Sequence, residues 1–381
     1  MADLDPSSPV AAIRSHCRDC RLCQRECAFL ARYGTPRQIA DTAAGPGGAP
    51  PELPFQCSLC GLCRAVCPLG LDPAAMFLFM RQEAAGRGYS LARYRRLLAY
   101  ERRGLSRSLS YTGLPAGCDT VFFPGCSLAG SRAHQVLHLF QRLQAWHPRL
   151  GVVLDCCTKP SHDLGRQRYF QAMFGELRDF LVASGVRQVL VSCPSCLAVF
   201  RSHGTPLQVR TVYEELAAGR SFAQQPLSGT VTIQDSCVAR FEPGVQAAAR
   251  HLVEGLGLTV AEGRHTGERT VCCGEGGGVG CVAPALAGSW PAKRRQEAEG
   301  RKVVAYCAGC EQSLRGAVDV CHLVDLMLDP QAAMAGKTRV WRAPWTYLNR
   351  YLLKKRLERL LPVAVFREGR AQGAQQGAGC R

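Results

Sequence analysis

Between residues 120 and 329, short apolar runs rich in β-branched residues alternate with stretches whose apolar residues recur at helical spacing. In residues 131–146 the apolar positions Val136, Leu139, Phe140 and Leu143 predict one amphipathic helix, and residues 166–183 predict another. Such alternation is typical of an α/β domain with parallel strands. Residues 72–112 lack this alternation and are predicted to be helical and strongly basic.

The Cys residues of the α/β region follow its apolar runs in an order that occurs twice. The copies read C-x29-CC-x35-C-x2-C and C-x34-CC-x33-C-x2-C, which indicates a duplicated domain. If the strands are parallel, the Cys of each copy emerge at strand carboxyl ends, where open α/β sheets place their ligands. The first set is Cys126, Cys156, Cys157, Cys193 and Cys196, and the second is Cys237, Cys272, Cys273, Cys307 and Cys310.

Eight more Cys form two similar motifs near the start of the chain. Cys17, Cys20, Cys23 and Cys27 read C-x2-C-x2-C-x3-C, and Cys57, Cys60, Cys63 and Cys67 repeat this spacing before Pro68. In bacterial two-cluster ferredoxins, three close Cys hold one cluster and the fourth ligates the other. We therefore predict one 4Fe-4S cluster on Cys17, Cys20, Cys23 and Cys67, and a second on Cys57, Cys60, Cys63 and Cys27. Zinc is the alternative, but a tetrahedral site has no use for a third Cys at this spacing.

We expect these Cys to lie in a reducing compartment. With 381 residues and 47% hydrophobic residues, the chain has room for two or three packed domains. We see no secretory signal in residues 1–16 and no apolar run of bilayer length, so we expect a cytoplasmic protein that is soluble or peripheral on the inner face of the membrane. Reduced thiols at two-residue spacing are typical metal ligands.

The net charge of +17 raises the question of nucleic-acid binding, but clusters with four thiolates would lower that charge, and we expect no nucleic-acid partner. Two basic stretches remain. Residues 81–107 hold eight Arg against two Glu, and residues 341–370 hold eight Lys or Arg against two Glu. The second stretch has no clean amphipathic face, so a membrane surface, a partner subunit and the core of the protein itself all remain open as its contact.

The paired CC and C-x2-C phrases resemble the cysteine-rich CCG domains of the heterodisulfide reductase family. The domain order, two ferredoxin motifs followed by two CCG domains, is similar to that of the fused iron-sulfur subunit of that family and of the C subunit of anaerobic glycerol-3-phosphate dehydrogenase. The resemblance implies an α/β fold: a mainly helical ferredoxin-like domain, then a duplicated pair of CCG domains. The resemblance covers about residues 17–329. Together with the composition of the remaining stretches, we predict a ferredoxin-type domain at 1–72, a basic connector at 73–117, CCG domains at 118–225 and 226–330, and a basic segment with a disordered tail at 331–381.

The resemblance also implies chemistry. Each CCG domain would hold a noncubane 4Fe-4S cluster on its five Cys, so that one or two such clusters join the two cubanes. In the reductase this cluster cleaves a disulfide in two one-electron steps. The second copy keeps a glycine after its doublet, Gly274, where the first has Thr158, so we predict that the second Cys set is the catalytic one and leaves more open space. Closed zinc sites or buried thiols are the alternative for both sets.

We therefore expect an iron-sulfur oxidoreductase subunit that passes electrons from its ferredoxin clusters to the CCG sites. No nucleotide-binding fingerprint is present, so a flavoprotein dehydrogenase or another electron-donor subunit is the expected partner. The alternative is a relay subunit that links a dehydrogenase to the membrane quinone pool. Cys118, Cys281, Cys321 and Cys380 are expected to be core or tail thiols, and His162 and His203 hydrogen-bonded surface residues.

Overall fold

The computed structural model describes residues 7–219 and 226–369. The first part of the chain is helical and packs around a small apolar core that includes Ile13, Phe29 and Phe77. Polar caps and prolines define where its helices begin: Thr35 and Gln38 form a reciprocal capping box, and Asp72 caps the helix that starts at Pro73. The helices are α1 (Pro9–His16), α2 (Leu22–Glu26), α3 (Ala28–Tyr33), α4 (Pro36–Ala44), α5 (Leu62–Ala65), α6 (Pro73–Gly86) and α7 (Arg95–Gly104), with 3-10 turns at Leu53–Gln56 and Ala92–Tyr94.

The first α/β unit follows this helical part. Its strands are β1 (Tyr111–Pro115), β2 (Thr120–Phe123), β3 (Gly151–Leu154), β4 (Gln188–Val191) and β5 (Gln208–Thr211). Its helices are α8 (Cys126–Ser131), α9 (Ala133–Trp146), α10 (Lys159–Asp163), α11 (Gln167–Ala183), α12 (Pro194–His203) and α13 (Val212–Ala218). The four residues that predicted the first amphipathic helix are all buried along α9.

The second α/β unit repeats the arrangement. Its strands are β6 (Thr230–Gln234), β7 (Thr259–Val260), β8 (Lys302–Ala305) and β9 (Val320–His322). Its helices are α14 (Pro243–Glu254), α15 (Pro284–Ala298), α16 (Ala308–Leu314), α17 (Leu323–Leu328) and α18 (Pro330–Met334), with 3-10 turns at Cys237–Ala239, Gly267–Arg269 and Gly276–Cys281. The chain ends, within the described residues, with α19 (Trp345–Leu360) and β10 (Val363–Arg367).

Each sheet contains four parallel strands, and these strands follow the same order in both sheets. The strand orders are β10-β1-β3-β2-β4-β5 and β7-β6-β8-β9, and β2 to β5 and β6 to β9 are parallel within their sheets. The order β3-β2-β4-β5 corresponds to β7-β6-β8-β9, so the predicted fold class, a helical domain followed by a duplicated α/β pair, is confirmed. The antiparallel strands β1 and β10, which come from the connector and the C-terminal segment, extend the first sheet and were not predicted.

The prediction of a strand directly before Cys272 is wrong. β7 ends at Val260, and the residues before the doublet form no strand. Two buried side chains supply the hydrogen bonds that a neighbouring strand would otherwise make there. Arg240 donates to the Thr270 carbonyl at 2.7 Å and Gln234 to the Val271 carbonyl at 3.0 Å, so the segment is held without ladder hydrogen bonds.

Helix α19 packs one face onto the first α/β unit. Leu353 and Leu357 are buried, and Arg350 donates to the carbonyls of Leu109 and Gly104 at 2.9 and 3.0 Å. The sequence left open whether the basic C-terminal segment contacts a membrane, a partner subunit or the core of the protein. This face of α19 contacts the core. In the parts of the chain that the structure describes, every helix is too short or too polar to cross a membrane. The predicted disordered tail lies almost entirely outside the described residues.

Candidate metal centres

The first predicted ligand set lies around one cavity near the surface. Cys17, Cys20, Cys23 and Cys67 line a space of about 260 Å³ between the turn before α2 and the chain after α5. Burial raises the pKa of the Cys23 thiol to about 12, and the neighbouring Cys17, Cys20 and Cys67 contribute, so these four sulfurs are close enough to interact. The structure therefore brings together the four residues that the motif rule assigns to one cluster. That they ligate a cluster stays a prediction.

The second set is more deeply covered. Cys27 lies beside Cys57, Cys60 and Cys63, and all four line a common cavity. Burial raises the pKa of each thiol, that of Cys60 to about 12. The amide of Leu59 donates to the Cys57 sulfur at 3.4 Å. Cys63 also lines the first cavity, so the two sets are adjacent.

The five Cys of the first α/β unit converge at the carboxyl ends of its strands, as predicted. Cys126 hydrogen bonds with Cys156, and Cys196 bonds with both Cys157 and Cys193. Gly125, with φ of 77°, lies against this set: a Cβ there would be 3.0 Å from the Cys193 Cβ and 3.5 Å from the Cys196 sulfur. The absent side chain leaves room next to these sulfurs.

The second α/β unit gathers its own five Cys. Cys272 hydrogen bonds with Cys237 and Cys273, and Cys310 bonds with Cys273 and Cys307. These bonds, together with backbone amides, hold the pKa of the Cys272 thiol well below its usual range. The Gly274 amide donates to the Cys272 sulfur at 3.3 Å. All eighteen predicted ligands thus fall into the four predicted groups.

The four groups form a continuous line. Cys272 of the second α/β unit lies within electrostatic reach of Cys27 and Cys60, which belong to the second ferredoxin-type set. At its other end the same unit touches the first, because Cys307 hydrogen bonds with Cys193. The order along the molecule is therefore first ferredoxin-type set, second ferredoxin-type set, second CCG set, first CCG set.

Two charged residues, each two positions after a Cys doublet, lie at the junction of the CCG sets. Glu275 interacts with Cys193 as well as with Cys272. Although part of its side chain is exposed, the dense protein around the carboxyl desolvates it, and this burial, with the two thiols, raises the pKa of Glu275 to about 7. Lys159 is within electrostatic reach of Cys157 and Cys237. It is held by Asp163 at 2.6 Å.

The glycine-rich loop after the second doublet packs tightly instead of leaving open space. A Cβ at Gly276 would lie 2.5 Å from the Ser58 carbonyl oxygen, and one at Gly277 would lie 2.8 Å from that of Cys57. The expectation that these glycines open the site to a substrate is therefore wrong. They allow the ferredoxin-type domain to approach the doublet closely.

The sequence did not identify the residues that cover the first CCG set. Tyr100 of α7 hydrogen bonds with Cys126, and the Arg350 guanidinium lies near the same sulfur. Glu101, 1% exposed, accepts hydrogen bonds from the amide and hydroxyl of Ser161 in α10. An acid within a run of arginines was the one available signal, and it is ambiguous because such a Glu can equally pair with a neighbouring arginine at the surface, as Glu83 does with Arg87.

The donor sets fit iron-sulfur clusters better than single zinc ions. In residues 7–219 and 226–369, no three His, Cys, Asp or Glu side chains converge on a point where one metal ion could sit. Zinc needs four ligand atoms within about 2.3 Å of one centre. The two ferredoxin-type sets consist of thiols that line cavities, and backbone amides donate to the sulfurs of Cys57 and Cys272, which matches the Cys ligation and sulfur hydrogen bonding of larger clusters.

The remaining predicted residues have ordinary roles. Cys118 and Cys321 are buried in the core, Cys281 is exposed, and Cys380 lies outside the described residues. His162 donates a hydrogen bond from Nδ1 to the Asp163 carboxylate at 3.1 Å and packs edge-on against His203, with ring centroids 5.4 Å apart. Both rings join an aromatic cluster, and burial lowers the pKa of His203.

Comparisons with known proteins agree with this geometry. Residues 16–72 match the 4Fe-4S dicluster domain family, and residues 120–201 and 231–315 match the cysteine-rich CCG domain family. The chain is 26% identical to the B subunit of fumarate reductase (CoM/CoB) of Methanothermobacter marburgensis over 76% of this chain and 62% of that protein. It is 22% identical to the D subunit of the dihydromethanophenazine:CoB--CoM heterodisulfide reductase of Methanosarcina barkeri, over 69% of this chain and 72% of that protein. The chain thus spans less than two thirds of the fumarate reductase relative.

Proposed function

The chain is a heterodisulfide reductase-like iron-sulfur protein with a 4Fe-4S dicluster domain and two CCG domains, and from that premise we propose that it carries electrons along its four Cys groups to reduce a disulfide. The observation that carries this proposal is that each group lies close to the next. Cys63 joins the first two, Cys60 and Cys272 join the next two, and Cys307 and Cys193 join the last two.

The Cys residues would hold two cubane and one or two noncubane 4Fe-4S clusters, which supply one-electron transfer when bound. The chain itself fixes the order of the groups and shields the inner ones from water. Of the eighteen Cys, all of them described, only Cys20 is exposed. Electrons would therefore cross the protein surface at the first ferredoxin-type set.

The chemical end point would be the junction of the two CCG sets. Disulfide reduction consumes two electrons and two protons: the S-S bond breaks and each sulfur leaves as a thiol. Two adjacent one-electron groups meet the electron requirement, since Cys193 and Cys307 belong to different sets and touch. Glu275 and Lys159 border this junction and would face a bound substrate.

Iron analysis after anaerobic purification tests the proposal. Four irons per cluster give about eight to sixteen iron atoms per chain, with matching acid-labile sulfide. Reduced methyl viologen should then lose its colour when a low-molecular-weight disulfide is added, with one thiol pair formed for two viologens oxidised. Zinc with fewer than four irons would refute the electron-transfer role. Full iron content without thiol formation would leave only a relay.

A relay to the membrane is the second candidate, and one observation favours it. The outer face of α19 carries Trp345, Leu348 and Leu352, which are 55%, 46% and 47% exposed. Apolar and aromatic side chains beside Lys355 and Arg359 suit the surface of an anionic membrane or a membrane-bound partner subunit. Under this candidate, Trp345→Ser with Leu348→Ser would abolish salt-sensitive binding to vesicles that contain phosphatidylserine. Vesicles that fail to bind the unaltered protein would exclude lipid.

A further inference from the structure

The first ferredoxin-type set is the end of the Cys line that meets solvent. Cys20 is exposed and Cys17 is half-buried. An open cleft of about 410 Å³ lies directly beside Cys17, with Arg18, Arg37 and Leu69 in its wall. A protein that exchanges electrons with the line can therefore come closest here.

The charges around this end are strongly one-sided. Arg18, Arg21 and Arg25 are exposed, and none of them has an acidic side chain within ion-pair distance among the described residues. Two carboxylates lie nearby: Asp19 is half-buried in the wall of the cavity of the first Cys set, and Asp41 is paired with Arg14 at 3.2 Å. We call Arg18, Arg21 and Arg25 the basic face. Unpaired cations beside an electron-transfer site attract a partner protein of opposite charge and raise its association rate.

Two exposed leucines lie within the basic face. Leu22 is 40% and Leu69 is 42% exposed, and both line the cavity of the first Cys set together with Arg18 and Arg21. A small apolar centre with a charged rim is the arrangement of a protein interface. Its limited size suits the weak, transient complexes of electron-transfer proteins, which bury less than about 1,200 Å².

We propose that the basic face binds an acidic one-electron carrier protein, and that electrons enter or leave the chain through it. This inference rests on the proposed function. In the step at this face, the reduced carrier would lose one electron, the cluster that Cys17, Cys20, Cys23 and Cys67 would hold would gain it, and no bond would be formed or broken. The apolar face of α19, at the opposite end of the line, would serve a different partner.

The test uses reduced plant-type [2Fe-2S] ferredoxin, an acidic one-electron carrier, as the probe. Stopped-flow absorbance gives its second-order rate of electron transfer to the intact protein at several ionic strengths. The altered protein is Arg18→Glu with Arg21→Glu. The matched control is Arg149→Glu with Arg187→Glu, two exposed arginines that precede β3 and β4, at the strand ends opposite the Cys. Two Arg→Glu changes subtract four charges, so both variants carry +13 instead of +17.

We expect the rate with ferredoxin to fall at least ten-fold in the Arg18/Arg21 variant and less than two-fold in the control. The rate of the unaltered protein should fall steeply with salt. Equal losses in both variants would show steering by net charge alone and overturn the proposal, as would an unchanged rate. Binding of an RNA oligonucleotide at this face, without an effect on ferredoxin, would also overturn it.

Reduction by methyl viologen separates this inference from the proposed function. The small viologen needs no docking surface, so the iron content and the fraction of clusters that excess reduced viologen can reduce should be the same in all three proteins. Clusters that are absent, or that viologen cannot reduce, would refute the proposed function itself. Clusters that viologen reduces normally, with ferredoxin rates independent of Arg18 and Arg21, would refute only the docking surface. A single Arg25→Glu variant repeats the test if the double variant loses iron.

Discussion

Arg81 joins three parts of the molecule, and its replacement by Met should separate them. The side chain is fully buried in α6. It donates to the carbonyls of Pro54 and Cys57 in the ferredoxin-type domain at 3.0 and 2.6 Å. It also donates to Asp163 of the first α/β unit at 2.7 Å and to Gly277 of the second at 2.9 Å.

The size of the effect follows from these four hydrogen bonds. In Arg81→Met all four carbonyls lose their donor while the apolar stem of the side chain is retained. A buried polar group left unpaired costs about 1–3 kcal/mol, so four carbonyls give a lower limit of about 4 kcal/mol. Burial lowers the pKa of Arg81, which shows that desolvation of the guanidinium offsets part of the gain from its bonds. We therefore expect the loss to lie near this lower limit.

Hydrogen-deuterium exchange followed by mass spectrometry measures the loss where it occurs. A destabilisation of about 4 kcal/mol corresponds to exchange about 10³-fold faster, at about 1.4 kcal/mol per factor of ten. We expect this acceleration in peptides that cover Leu53–Gln56 and Gly276–Cys281.

Arg294→Met is the matched control. That arginine is also buried, but it donates to Gln234 and His265 within the second α/β unit, both at 2.8 Å. It should accelerate exchange in β6 and leave Leu53–Gln56 protected. Unchanged protection of both contact segments in Arg81→Met, or the same pattern in both variants, would refute the role assigned to Arg81.

Three further predictions concern stability and the reactive set. Leu357→Ala should destabilise the protein by about 2–5 kcal/mol because Leu357 is buried, whereas Leu352→Ala on the exposed face of α19 should change it by less than about 0.5 kcal/mol in the same denaturation assay. Burial holds the pKa of His322 well below its usual value, so only the unfolded state binds its proton. The free energy of unfolding should therefore fall by about 1.4 kcal/mol per pH unit as the pH drops below 6.5. His322→Asn, which retains a helix cap, should remove this contribution to the slope. Cys273→Ser should abolish disulfide reduction and thiol-sensitive paramagnetic signals because the second set lies between the ferredoxin-type sets and the first CCG set, whereas Cys157→Ser, at the far end of the line, should leave measurable activity. Preserved activity without Cys273 would exclude the second set as the reactive one, and equal loss in both variants would show that the two sets act as a unit.

The grouping of the Cys could be predicted because short spacing and strand order determine it. Cys17, Cys20 and Cys23 are close together in the sequence and are therefore close in space. The two-cluster ferredoxin rule predicted that Cys67 joins them. In the α/β units, parallel strands bring residues such as Cys126 and Cys193 to one edge whatever the lengths of the intervening helices. These features need no knowledge of contacts between distant segments.

Contacts between domains could not be predicted in this way. The cover over the first CCG set depends on Arg350, which meets the Gly104 carbonyl from a position 246 residues later in the chain. The glycines after Cys273 carried an ambiguous signal, because a missing Cβ permits a ligand or another backbone to approach equally well. Only the position of the Ser58 carbonyl against Gly276 decides between them.

The duplicated units have unequal neighbours, and that inequality gives the line of Cys its direction. A buried arginine follows the first Cys of each copy. Arg132 of the first copy faces the second, where it donates to Asp325 at 2.8 Å and pairs with Glu311 at 3.2 Å. Arg240 of the second copy faces the ferredoxin-type domain and donates to the Cys60 carbonyl at 3.0 Å. The Cys set of the second copy lies between the other sets, because Cys272 is near Cys60 and Cys307 hydrogen bonds with Cys193, so equivalent Cys replacements in the two copies should not have equal effects.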